Sequence, residues 1–163
     1  MLKMPELIRL NDHNGNWEVY LNIIYDCFKN DFIDRKLFFK GIKLGLKKHP
    51  KFQDKEATFW HFITEGNVEE KRNPEMRRCE RIKWPRCIIE NCENNEIKIW
   101  ENERKKKFNI CLCYGDWEYL VILRKGNGYI IPWTAYPIIQ NHRKRKIKGE
   151  YKKFLKKQTP PQK

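Results

Sequence analysis

Apolar residues along this chain recur first at helical spacing and then, from about residue 96 onward, at a spacing of two. Behind the polar run from Asn11 to Asn16, which supplies cap-type residues, Trp17, Tyr20, Leu21, Ile24 and Phe28 mark one face of a helix. Lys36 to Leu46 alternates, with Ile42, Leu44 and Leu46 against Lys43, Gly45 and Lys47. It predicts one strand or two short ones, ended by Pro50 and the charged stretch to Glu56. The aromatic segment Thr58 to Thr64 is rich in β-formers and is expected to be a strand, with Phe59, His61 and Ile63 on one face and Trp60 and Phe62 on the other. Asn73-Pro74-Glu75 offers a cap, a first-turn proline and an acidic residue against the dipole. It predicts a second helix to about Cys92, kinked where Pro85 deprives the Arg81 carbonyl of an amide.

The period of two then gives four strands: Ile97 to Trp100, Lys107 to Tyr114, Tyr119 to Arg124 and Tyr129 to Tyr136. Tyr114-Gly115-Asp116 and Lys125-Gly126-Asn127-Gly128 are tight-turn sequences, and strands joined so closely make an antiparallel meander. From His142 to Lys157, Ile147, Tyr151, Phe154 and Leu155 form a helical stripe among nine Lys or Arg and one Glu. The expected architecture is α+β: N-terminal helices packed on an antiparallel β-meander of about four strands, with a basic C-terminal helix. A chain of 163 residues suits a single domain, expected over residues 1–158 with Thr159 to Lys163 as a frayed tail.

Charge changes the picture more than size does. Residues 1–70 carry 11 Lys or Arg against 11 Asp or Glu, whereas residues 71–163 carry 24 against 10, so the whole net charge of +14 lies in the second part. Together with six Trp, seven Tyr and nine Phe, this suits a phosphate polymer whose bases stack on rings. No apolar run is long enough to span a bilayer, and Met1 to Asn16 lacks the charged start and apolar middle of a signal peptide, so the cytoplasm is expected and no membrane. The six cysteines form no CxxC pair; reduced thiols and no metal are expected, with Cys111 and Cys113 sharing one strand face as small apolar packing. Absence of GxxxxGK(S/T), GxGxxG, HExxH and GxSxG argues against nucleotide cofactors, dinucleotide chemistry, zinc proteolysis and the common serine hydrolases. Glu96-Ile97-Lys98 offers only a fragment of a metal-nuclease pattern.

Cutting RNA without a metal needs a base for the 2′-OH proton, an acid for the leaving oxygen, and donors for the charge on phosphorus. His61 can titrate near neutrality. Arg78 and Arg81, three apart on the second helix, and Arg77 with Arg81, four apart, can converge on one phosphate, while Glu80 beside them suits a surface salt bridge. Thr134 and Tyr136 present two hydroxyls on one side of their strand. Arg77, Arg124, His142, Arg143, Lys144, Arg145, Lys146 and Lys148 are expected to bind RNA backbone.

The aromatic FWH around His61, the RRCERIKW helix, the YLVIL strand followed by WTAY, and the closing HRKRKIKGEY helix together resemble a phage-associated or toxin-type member of the barnase, EndoU, colicin and RelE-like (BECR) ribonuclease superfamily. The resemblance spans most of residues 36–155. It implies one or two N-terminal helices on a four-stranded antiparallel meander whose open face holds the active site, and metal-independent cleavage of RNA, often tRNA or translated mRNA. By position and type, the superfamily's catalytic set falls on His61, Arg78 or Arg81, Thr134 and Tyr136. No second histidine faces His61, which leaves Tyr136 and His142 as alternatives for the acid. A toxin or phage-defence setting implies an acidic antitoxin or immunity protein over the basic cleft. The alternative is a non-catalytic RNA- or DNA-binding module of phage or mobile-element origin, in which these side chains need not meet.

Overall fold

Asn16 starts the first helix: its side-chain oxygen accepts the Val19 amide at 3.1 Å, and α1 runs Trp17–Lys29 with Tyr20, Leu21, Ile24 and Phe28 buried, as the stripe predicts. In this computed structural model, which describes residues 1–66, 68 and 71–158, α1 continues into a π-helical turn, Asn30–Asp34. The buried Arg86 holds that turn, donating to the carbonyls of Asp31 and Lys36 and to Glu90. Two short strands, β1 (Phe38–Phe39) and β2 (Ile42–Lys43), follow as a hairpin; Leu44 is buried while Ile42 is half exposed, so the expected alternation does not extend along the segment.

The segment expected to be a strand around His61 is instead a helix, α2 (Ala57–Ile63). Six of its seven residues are buried, between the α1 rings Tyr25 and Phe28 on one side and the last sheet strand on the other. A short element apolar on nearly all sides carries no period, and tertiary packing outweighs β-propensity there. The second helix also differs. Asn73–Pro74 (β4) pairs antiparallel with Thr64–Glu65 (β3), and Glu75 is the cap, its carboxylate accepting the Arg78 amide at 3.0 Å. The helix is then two pieces, α3 (Met76–Glu80) and α4 (Trp84–Glu90). The chain breaks at Arg81–Lys83, and Pro85 sits in the first turn of the new helix, where its missing amide costs nothing.

The four long strands, β5 (Ile97–Arg104), β6 (Lys107–Tyr114), β7 (Tyr119–Lys125) and β8 (Ile130–Pro137), form an antiparallel meander in sequence order. One face, with Ile110, Leu112, Val121, Leu123 and Ala135, packs on the N-terminal helices. The other carries Trp100, Cys111, Cys113 and Leu120 and is covered in part by α5 (Asn141–Gln158) through Ile147, Tyr151 and Phe154, while Leu155 of the expected stripe is 44 % exposed. Glu150 fastens α5 to β5, accepting from the Trp100 indole at 2.8 Å and from Asn102 at 2.5 Å. The protein is thus α+β, with helices on both faces of the sheet. β8 is an edge strand with one irregularity: Thr134 faces Ile122 and Pro132 faces Leu123, so Trp133 is a surplus residue, a β-bulge. Among the described residues no helix is long and apolar enough to cross a membrane. The expected tail from Thr159 to Lys163 lies outside the described residues.

Candidate functional site

A helix ends with carbonyls that have no amide partner, and those of α2 determine what gathers beside them. The Thr64 carbonyl accepts from Arg78 Nη1 at 2.6 Å and from Arg72 Nη2 at 2.5 Å; the His61 carbonyl accepts from the Thr134 hydroxyl at 3.2 Å and, more distantly, from Arg78 Nη1 at 3.4 Å. Arg72 also donates to Thr64 Oγ1 at 2.9 Å and to the Gly66 carbonyl at 2.9 Å. These bonds tie the β3–β4 ladder, α3 and β8 to one helix end.

The result is a depression of about 590 Å³ lined by His61, Lys71, Arg72, Arg78, Trp133, Thr134, Tyr136 and Arg143 with Glu65, Gly66 and Asn73. A second hollow of about 270 Å³ continues it past Glu65, Arg78, Tyr136 and Arg143 to Glu75 and Arg77. Both arginines lie over the Tyr136 ring, Arg78 at 5.0 Å and Arg143 at 5.4 Å from its centroid. Among the described residues neither forms an ion pair. Arg78 uses one of its nitrogens on protein carbonyls, which leaves Nε and Nη2 as fixed, unspent donors. Burial, and then the neighbouring Arg72, pull the Arg78 guanidinium below its ordinary value by more than Glu65 and Glu75 hold it up, so an anion in the hollow relieves the remaining cost.

His61 forms the floor at 6 % exposure, its ring edge-to-face with Trp133 at 5.2 Å. The bulged Trp133 is clasped in turn by Arg124, whose guanidinium is 3.7 Å from the ring centroid, and by Lys47 at 5.0 Å. Arg124 is aimed by a polar row across the sheet: its Nε donates to Asn109 at 3.3 Å, and Asn109 donates to Asn102 at 3.1 Å.

Of the residues singled out from the sequence, His61, Arg78, Thr134, Tyr136 and Arg143 meet in the main depression, Arg77 lines its extension, and Arg124 reaches the wall through Trp133. Arg81 does not join them. It caps the end of α3, donates to the Arg77 carbonyl at 3.0 Å, pairs with Glu80 at 3.8 Å and lies over Trp84, because the break after α3 removes the common helical face on which convergence depended. His142 is exposed on the first turn of α5 and lines neither hollow. Lys144, Arg145 and Lys148 border a separate depression with Asp116 and Trp117, and Lys146 is exposed on α5. Arg72, Lys71 and Trp133 were not legible as site residues; the basic character of residues 71–163 was the one general signal.

Among the described residues no group of three or more His, Cys, Asp or Glu side chains is placed to hold a metal. Glu96 accepts the Leu2 amide at 2.5 Å, and Lys98 donates to the Gly115 carbonyl at 3.1 Å over the Trp117 ring. No family model, curated protein or solved structure matches the chain. What the site does is therefore to be read from its own chemistry.

Proposed function

We propose that this protein is an endoribonuclease that cuts RNA by attack of the 2′-OH on the adjacent phosphate, without a metal. The observation that carries the proposal is the meeting of His61, Arg78, Thr134, Tyr136 and Arg143 around one depression, from four separate elements, with Arg72 beside them. In this reading His61 takes the 2′-OH proton. Arg78, held by the α2 carbonyls, and Arg143 stabilise the charge that builds on the phosphate oxygens, where fixed donors in a partly desolvated site are most effective. Tyr136, under both guanidiniums, donates to the leaving 5′-oxygen, and Thr134 keeps β8 in register with the His61 carbonyl. The resemblance to the BECR superfamily supports the same reading, as a cytoplasmic toxin or phage-defence effector whose cleft an acidic inhibitor protein would cover.

A second reading, RNA binding without cleavage, draws on the burial of His61, which leaves 6 % of that residue exposed. Incubation of the purified protein with labelled total RNA in chelator separates the two. Fragments ending in 2′,3′-cyclic phosphate are expected; intact RNA with binding retained would leave only the binding module, and no binding at all would remove both.

A further inference from the structure

A third hollow, of about 530 Å³, adjoins the cationic cleft at Arg72, which lines both. Its walls are different in kind: Trp17, Leu21, Phe52 and Trp60, with Pro50 and Pro74. Phe52 is 59 % exposed, yet its backbone is tied down. Its amide donates to the Lys55 carbonyl at 3.1 Å, and its own carbonyl accepts from the Lys55 amide at 3.0 Å and from the Trp60 indole at 2.9 Å. The Phe52 ring meets the Trp60 ring edge-to-face at 5.2 Å. The turn that presents it places two non-glycine residues in the left-handed region, Gln53 at φ 50° and Asp54 at φ 60°. An exposed ring whose backbone is fixed by three hydrogen bonds and whose edge meets Trp60 is preorganised for a flat apolar partner.

We propose that this hollow takes one unstacked nucleobase of the RNA strand whose phosphate occupies the cationic cleft, an inference that rests on the RNA reading above. Continuity carries it. Arg72 lines both hollows, and the adjacent residues Asn73 and Pro74 line one each, so a chain with phosphates in the cleft can place its next ring in the apolar hollow. Lys51 borders the hollow and matches the charge of a phosphate there. The Trp60 indole N–H is already spent on the Phe52 carbonyl, so this residue offers its π-face and no hydrogen-bond pattern. The base is accordingly held by stacking, with little discrimination among the four.

The test compares wild type with Phe52→Ala, a change at an exposed ring, on two polymers: single-stranded RNA and a ribose-phosphate oligomer of equal length lacking bases. Phe52→Ala should weaken binding of the RNA by about tenfold and leave the baseless oligomer unaffected; Phe52→Tyr should restore the RNA affinity. Wild type and Phe52→Ala binding RNA alike, or an equal loss on both polymers, overturns the base site while leaving the phosphate cleft intact. A dimer of wild type that Phe52→Ala converts to monomer, with RNA affinity unchanged, assigns the hollow to a second copy and also overturns it. Failure of wild type to bind either polymer removes the RNA reading itself.

Discussion

Arg72 and Arg78 donate to the same carbonyl oxygen, that of Thr64, at 2.5 and 2.6 Å. Two guanidiniums brought to one neutral acceptor repel each other, and this repulsion adds to the burial that already makes the Arg78 charge costly, so an anion beside them is stabilised. The helix end does the gathering; the ligand collects the benefit.

Replacing Arg78 by Ala is accordingly expected to lower RNA cleavage by about a hundredfold, the usual cost of one fixed donor to a developing anion. Arg81→Ala should leave the rate near wild type, since Arg81 is occupied by Trp84, Glu80 and the Arg77 carbonyl. Initial rates on one labelled RNA, with thermal melts to check folding, read both variants. The reverse ranking would move the phosphate site to the far side of α3.

Arg143 is exposed and borders both parts of the cleft. Its removal should weaken single-stranded RNA binding and reduce the slope of log affinity against log salt by about 0.7, one phosphate's worth of released counterion. Affinities measured across a salt series give that slope directly, and an unchanged slope would mean that Arg143 touches no phosphate.

Cys79, Cys111 and Cys113 are buried, and burial pushes each thiol up to about 12. The folded chain then keeps protons that the unfolded chain releases, so stability falls as pH rises above about 9, by up to about 1.4 kcal/mol per pH unit for each thiol, until the folded values are reached. Urea midpoints should drop between about pH 8 and about pH 10.5, and Cys113→Ala should flatten part of the decline. Midpoints that stay level would show the thiols ionising in the folded state.

Arg86 is 7 % exposed and serves the carbonyls of Asp31 and Lys36 as well as Glu90. Arg86→Met takes the guanidinium away from the Asp31 and Lys36 carbonyls, while Glu90 keeps Arg35 at 3.8 Å, and a loss of about 3 kcal/mol is expected in urea unfolding. A loss below about 1 kcal/mol would mean that water replaces the guanidinium.

The contrast between Arg81 and Arg72 shows what could be read from the chain and what could not. Helix α1, the four long strands and α5 were legible because each hides one face, and a period of 3.6 or 2 reports which face that is. Residues 57–63 are buried on nearly every side, so Phe59, Trp60 and Phe62 gave composition without period, and composition favoured a strand. Arg78 was visible, but its partner was not. Spacing proposed Arg81 on the assumption of one continuous helix, whereas Arg72 arrives through the pairing of Thr64–Glu65 with Asn73–Pro74, a contact between segments that no local pattern announces. His61, Thr134 and Tyr136 were each identifiable by chemistry; their meeting depends on α2 packing against β8.

The surplus residue at Trp133 has a consequence for how such a cleft can come and go. Up to Pro132 the even-numbered positions of β8 face the N-terminal core; beyond the bulge Ala135 does, and Thr134 and Tyr136 turn the other way. Deleting Trp133 would restore an unbroken pleat with Thr134, Ala135 and Tyr136 still opposite Ile122, Val121 and Leu120, so both hydroxyls would keep their side and Ala135 would stay in the core; what would go is the ring held by His61, Arg124 and Lys47. The Trp133 wall of the cleft is therefore an addition to the ladder and not a part of it: the pairing of Thr134, Ala135 and Tyr136 with β7 does not depend on it.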